Sequence, residues 1–181
     1  MKIFKAILNA LSWIFIFVLA GYIIVDSFLP NYTIPIFGFK TVIVKSDSMT
    51  GKLEIGDLVI LTRVDEENLE EYDIVTFLID VDGDEVEDYV THYFSSWQND
   101  SRLAFKTRNE KTGLVDNWII GSDELIGEYV FHVPFVGHIV NFIKSPIGIG
   151  TILGNIVIIG AVIYLVKSDK NKKKDVKNEE N

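Results

Sequence analysis

The chain has 181 residues, 17 Lys+Arg against 26 Asp+Glu, a formal net charge of −9 and no cysteine. That length suits about one domain with small additions. The missing cysteine excludes a disulfide framework, a thiolate zinc site, an iron–sulfur cluster and a Cys nucleophile. The acidic balance argues against nucleic acid as a partner. A hydrophobic content of 48% beside 24% charged residues excludes wholesale disorder and points to segregated apolar and charged segments.

The first segregated segment is residues 6–25, AILNALSWIFIFVLAGYIIV, which carries no charged side chain. As a helix it would cross the roughly 30 Å hydrocarbon core of a bilayer. Lys2 and Lys5 precede it and Asp26 follows it. It is longer than the usual hydrophobic core of a secretory signal, and Tyr-Ile-Ile-Val-Asp-Ser-Phe-Leu-Pro is a poor cleavage context, so a retained anchor is expected. The expected division is a cytoplasmic N-terminus at 1–5, a membrane helix at 6–29 and an outer domain at 30–144. A second uncharged run follows at 145–166, SPIGIGTILGNIVIIGAVIYLV, and then a basic tail at 167–181. Glycines at 148, 150, 154 and 160 weaken a soluble helix but suit a membrane one. Six lysines lie between Lys167 and Lys177. The positive-inside rule puts both termini in the cytoplasm, hence a multi-pass protein of the cell membrane with its middle outside. The basic tail could also touch anionic lipid, although a plain topological anchor is the simpler reading.

The outer domain is strongly acidic. From Pro30 to Ile143 it carries 8 Lys+Arg against 21 Asp+Glu, a net of −13. Runs rich in Val, Ile, Thr, Tyr and Phe predict strands at Lys40–Lys45, Leu58–Leu61, Asp73–Asp80, Asp88–Phe94, Arg102–Thr107 and Leu125–Val133. Turn signals separate them at Thr50-Gly51, Val81–Asp84, Asn99-Asp100 and Thr112-Gly113. Asp65–Glu71 reads as a turn or short helix. IDVDGDEVEDYV reads as two strands joined by a hairpin tip. The acids of that tip invite a calcium reading, but they lack the EF-hand spacing, so a solvated tip is preferred. The fold class is mainly β, a β-rich domain between two terminal membrane helices.

Chemistry-bearing residues are few. The chain has three histidines: His92 in DYVTHYF, and His132 and His138 in VFHVPFVGHIV. No i, i+4 histidine pair on a helix suggests a metal. Ser48 follows the short strand KTVIV and precedes Met49. A serine at a strand end can sit beside backbone N–H groups that would bind an oxyanion. It needs a base to become nucleophilic, and His92 could serve near neutral pH. A carboxylate must then hold the imidazole tautomer, and spacing alone does not select one among the acids of the domain.

The ordered motifs do resemble a family. SDSM at 46–49 with IGDLVIL at 55–61 resembles the S-x-S-M…G-D box of type I signal peptidases. DIVTF at 73–77, THYF at 91–94, FKTRNEKTGLVD at 105–116 and GEYVFHVPFVGHI at 127–139 resemble the boxes that follow, in the family's order. The likeness is to the Ser-His-Asp kind found in the endoplasmic reticulum, in archaea and in some Gram-positive bacteria, which also has terminal membrane spans. It implies a signal-peptidase-like β-rich domain in which Ser48 is the nucleophile, His92 the general base and Asp116 the orienting carboxylate. It implies supporting roles for Ser46, Met49 and Glu110, Ser46 helping the oxyanion hole. The Ser-Lys branch places its base in an R-x-x-G-x-P-G-D stretch, which this chain lacks, so Lys106 and Lys111 are poor candidates for a base.

The chain departs from the pattern in three places. M-x-P-T reads Met49-Thr50-Gly51-Lys52, the residue after the histidine is Tyr93 instead of Arg, and T-K-G-D reads Thr107-Arg108-Asn109-Glu110. Asn109 is tolerable for Gly because Asn accepts positive φ better than most residues. The resemblance implies a membrane-bound serine endopeptidase that removes signal peptides from preproteins. It implies no metal or other cofactor, and as partners those preproteins, the lipid bilayer and, in some relatives, accessory subunits. Two other readings stand beside it. One is a non-catalytic membrane-anchored β-domain acting as a scaffold. The other is a metal or ligand sensor using His132, His138 and the acidic tip, against which HVPFVGH reads as a strand or loop leading to the membrane.

Overall fold

A computed structural model describes residues 2–99 and 102–179, without the side chains of Lys2, Val166 and 168–179. The chain divides into two compact units, residues 1–137 and 138–181.

The first unit opens with helix α1 (Lys2–Phe28), whose side chains from Ile3 to Ala20 are all exposed. A 3-10 turn (Pro30–Tyr32) leads into the short helix α2 (Thr33–Phe37), which Gly38 ends at φ 80. That left-handed conformation suits glycine at a helix C-terminus. Seven strands follow: β1 (Lys40–Ile43), β2 (Leu58–Thr62), β3 (Ile74–Ile79), β4 (Asp88–Trp97), β5 (Ala104–Arg108), β6 (Ile120–Gly121) and β7 (Leu125–Val133). They form one antiparallel sheet in the order β1-β2-β7-β3-β4-β5-β6. Six predicted strands are therefore present, each end within three residues of its expected place. β6, α2 and the helix after β7 were not expected from the sequence.

Three bulges bend the ladders, at Ile60/Leu61, Thr76/Phe77 and Phe94/Ser96. Such irregularities increase twist and coiling. The sheet coils enough that β1 and β4, three strands apart in the order, wall one cavity. The Lys40 ammonium on β1 lies 5.2 Å from the ring centre of Tyr89 on β4.

The buried interior falls into two clusters. Met49, Leu53, Val59, Leu61 and Ile74 form one, and Val75, Phe77, Phe94, Phe105 and Ile120 the other. Alternation along β4 turns His92 and Phe94 inward, while Tyr93 points to the opposite face. The hairpin tip between β3 and β4 is present, with exposed acids throughout. Asp65–Glu71 is a run of turns and not a helix. The turn expected at Asn99-Asp100 runs into Asp100, outside the described residues.

The end of α1 is fastened to β1. Lys40 Nζ donates to Asp26 Oδ1 at 2.9 Å and to the Pro30 carbonyl at 3.3 Å, and Thr33 Oγ1 donates to the same Asp26 oxygen at 3.2 Å. The Thr41 amide donates to the Tyr22 hydroxyl at 2.9 Å. Tyr22 stacks on Phe39 with ring centres 5.2 Å apart.

After β7 the chain turns at Pro134-Phe135 into helix α3 (Val136–Lys144). HVPFVGH is thus part strand and part helix, which corrects its expected reading as a strand or loop. The cause is visible in the residues: apolar positions 136, 139, 140 and 143 recur at helical spacing once Pro134 has ended the strand. Gly137 admits this turn. A Cβ there would lie 2.6 Å from both the Gly56 carbonyl oxygen and Ile43 Cγ2.

The second unit contains the rest of α3 and helix α4 (Pro146–Glu179). Ser145 caps α4, its hydroxyl accepting from the Gly148 amide at 3.0 Å, and Pro146 occupies the first helical position. The expected segment 145–166 is the apolar start of this helix, and the described part of the basic tail continues it. Two helical segments, Ile3–Phe28 and Pro146–Leu165, are long and apolar enough to cross a membrane.

Candidate functional site

The candidate site is assembled from β1, the turn after it, β4 and the segment following β5. A cavity of about 370 Å³ is walled by Val42, Ile43 and Val44 on one side and by Tyr89, Val90 and His92 on another. Ser46, Ser48, Met49, Asn109 and Trp118 also line it. The sheet's coiling is what brings Ser48 and His92 to one space.

Ser48 lies in a turn held by its own backbone. The Thr50 amide donates to the Asp47 carbonyl at 3.2 Å, and the Lys52 and Leu53 amides donate to Met49 at 3.0 and 2.8 Å. Met49 is only 1% exposed and packs into the first apolar cluster, so the turn is pinned immediately after Ser48. Gly51 has φ 101. Proline, fixed near −65°, could not adopt that conformation. The departure from the M-x-P-T pattern therefore goes with a turn of different backbone shape. The hydroxyls of Ser46 and Ser48 are 3.2 Å apart. The Lys111 amide donates to the Ser48 carbonyl at 3.0 Å, and the Lys111 ammonium pairs with Asp47. That ion pair holds the Asp47 carboxyl below its ordinary range, chiefly through the hydrogen bond from Lys111.

His92 is 2% exposed. Its Nδ1 lies 2.7 Å from Asp116 Oδ2. Its Nε2 is buried and has no hydrogen-bond partner among the described residues. The ring stacks on Trp118 at 6.0 Å and 20°, and meets the edge of Phe77 at 6.3 Å. Asp116 reaches His92 because its amide donates to the Thr107 carbonyl at 2.8 Å, so residues 115–116 run beside the end of β5. Thr107, fully buried, donates its hydroxyl proton to Asp116 Oδ2 at 2.6 Å. Trp118 Nε1 in turn donates to Thr107 Oγ1 at 3.1 Å.

His92 and Asp116 thus meet in hydrogen-bond contact, and Ser48, Ser46 and Met49 line the same cavity as His92. Glu110 is placed elsewhere. It stands beside the Tyr93 hydroxyl, on the face of β4 opposite His92. Burial first, and the Glu110 carboxylate second, push the Tyr93 phenol up to about 12. Tyr93 packs edge-on against Tyr72 at 5.8 Å. The expected supporting acid therefore has the Tyr93 phenol as a neighbour. Asn109 takes no positive φ; Gly113 does, at 67°. Asn109 closes that turn by accepting the Thr112 amide on its side chain at 3.1 Å. Neither Lys106 nor Lys111 lines the cavity.

Of the other titratable candidates, His132 does not line this cavity. His132 Nδ1 is 2.9 Å from the Tyr129 hydroxyl and its Nε2 is 3.6 Å from Asp57 Oδ2. His138 belongs to α3 in the second unit. Among the described residues, Asp80, Asp82 and Asp84 form the one group of three ligand atoms within 4.8 Å, and it contains no histidine. Two of its carboxylates already accept backbone N–H groups of the tip.

Comparison with known proteins finds no family model that matches this chain and no curated protein that matches it.

Proposed function

We propose that this chain is a membrane-bound serine endopeptidase of the type I signal-peptidase kind, removing N-terminal signal peptides from exported preproteins. One observation carries the reading. A buried imidazole has one nitrogen on a carboxylate and the other left unpaired, and it shares a cavity with a serine hydroxyl. Leaving a buried polar atom unpaired costs about 1–3 kcal/mol, which makes it a poor choice for a purely structural histidine.

The chemistry follows from the tautomer. Donation of the Nδ1 proton to Asp116 leaves the lone pair on Nε2, so His92 can accept the Ser48 proton as Oγ attacks the scissile carbonyl. Such contacts commonly tighten only when substrate is bound. Ser46, bonded to Ser48, supplies a hydroxyl donor for the developing oxyanion. The imidazolium then protonates the leaving amine. Water, deprotonated by the same Nε2, releases the acyl-enzyme.

The substrate would add as an extended strand to β1, an edge strand with no second strand paired to it among the described residues, beyond Thr41, whose amide the Tyr22 hydroxyl already takes. Small side chains of that segment would enter the cavity between Val42, Val44, Met49 and Val90. The two apolar helices would hold the domain at the extracytoplasmic surface of the membrane, with both termini inside. The fully exposed apolar surface of Ile3–Ala20 supports this, since only lipid or another apolar surface removes its cost in water.

The test is cleavage of a signal-peptide-bearing substrate by membranes carrying the wild-type chain or Ser48→Ala. Cleavage by the wild type alone is expected. Equal cleavage by both, or none by the wild type across a broad panel of signal peptides, would favour a scaffold.

A further inference from the structure

We propose that Thr107 and Trp118 are positioning residues for the His92–Asp116 pair, an inference that rests on the peptidase reading above. Neither residue carries an acid, a base or a nucleophile. Their arrangement nevertheless dictates where three protons point.

The direction of each hydrogen bond is set by what the groups can do. Trp118 Nε1 can only donate, so the Thr107 oxygen accepts from it at 3.1 Å. The threonine has a single hydroxyl proton, and its nearby acceptor is Asp116 Oδ2 at 2.6 Å. The same carboxylate oxygen receives Nδ1–H from His92 at 2.7 Å. One oxygen therefore takes two donors, which fixes both the carboxylate and the imidazole tautomer. Trp118 also closes the circuit in space, because its ring stacks on His92 at 6.0 Å and 20°. It thus fixes the plane of the base directly and the orientation of the carboxylate through Thr107. An aromatic face over the ring also favours the imidazolium formed during acyl transfer.

The circuit sits where solvent cannot substitute for it. Thr107 is fully buried, His92 is 2% exposed and the Asp116 side chain is 10% exposed. Hydrogen bonds to a charged group are strong in such buried surroundings.

The experiment uses the full-length chain in detergent with a signal-peptide substrate, comparing wild type with Thr107→Val, Thr107→Ser and Trp118→Phe. Thr107→Val keeps the shape and removes the hydroxyl. It is expected to lower kcat by about 10- to 100-fold, the equivalent of one hydrogen bond to a charged group, with KM within about twofold. With one competitor gone, Asp116 holds the His92 proton more tightly, so the acid limb of the pH–rate profile moves to higher pH. Thr107→Ser is expected to restore kcat to within a few-fold. Trp118→Phe keeps a ring but loses the donor, and is expected to fall between them. A packing role alone would reduce the folded fraction, leaving the acid limb and the kcat of folded enzyme unchanged, and that result overturns the proposal. If Ser48→Ala cleaves as well as wild type, the peptidase reading fails by itself. The circuit is still tested in that Ser48→Ala protein by NMR titration of His92, assigned through its loss in His92→Gln. An upward shift of the His92 midpoint on adding Thr107→Val supports the circuit, and an unchanged midpoint overturns it.

Discussion

Lys40→Met tests whether the fastening of α1 to β1 holds the sheet edge in place. The lysine side chain is 4% exposed and its partner Asp26 is 31% exposed. Removing one member of a fully buried pair costs about 3–5 kcal/mol, because the survivor is left charged and dry. Asp26 is only partly dry, and it keeps the Thr33 hydroxyl at 3.2 Å. Part of the cost is therefore returned by water, and we expect a loss of about 1.5–3 kcal/mol. For a domain of roughly a hundred residues this lowers the unfolding midpoint by about 6–12 °C. Near-UV circular dichroism in detergent would follow the transition. Asp26→Asn in the same chain removes the stranded charge, so the double variant should regain about 1–2 kcal/mol relative to the sum of the single changes. Midpoints that simply add, or a Lys40→Met protein as stable as wild type, would refute the argument. Because Val42 and Ile43 of β1 wall the cavity, the same variant should also raise KM before it abolishes activity.

Further outcomes follow from other sites. Asp116→Asn should leave the domain folded and reduce kcat by about 10³- to 10⁴-fold in a cleavage assay, as loss of the orienting carboxylate does in serine peptidases. Burial, then the nearby Asp73, raise the Glu128 carboxyl above the ordinary glutamate value. The unfolded chain releases that proton first, so stability falls as pH rises through the interval between the two values and stays lower above it. Glu128→Gln should therefore melt higher than wild type at pH 7, and the advantage should vanish in a melt below about pH 4. Gly137→Ala would press a methyl group against the Gly56 carbonyl and Ile43, and should cost about 1–3 kcal/mol in chemical denaturation.

Much of the sheet was legible because its strands are runs rich in Val, Ile, Thr, Tyr and Phe. In β4, the inward facing of His92 and Phe94 against outward Tyr93 could not be read from residue type, since a polar ring is buried beside an aromatic one that is less so. The end of β4 was not legible, since Ser95 and Ser96 look like loop residues and pair with β5 only through a bulge. Ser48, His92 and Asp116 could be singled out only by motif order, and the coiling that gathers Ser48 with His92 has no local signature. Thr107 and Trp118 gave no warning. A threonine in a strand and a tryptophan in DNWII are ordinary in themselves, and their importance lies in contacts made across the fold. That Glu110 neighbours the Tyr93 phenol was not legible either, because its separation from Asp116 in the chain says nothing of which side chain it reaches.

The position of β7 has a consequence for timing. It is the last strand to be synthesised, yet it lies between β2 and β3 in the middle of the sheet. Until Leu125–Val133 has been made, the hairpin of β1 and β2 that carries the Ser48 turn and the four-stranded meander of β3 to β6 that carries His92 are two separate ladders. The halves of the cavity are joined by the final piece to arrive. A chain still being made has its serine and its histidine long before the cavity that gathers them is walled.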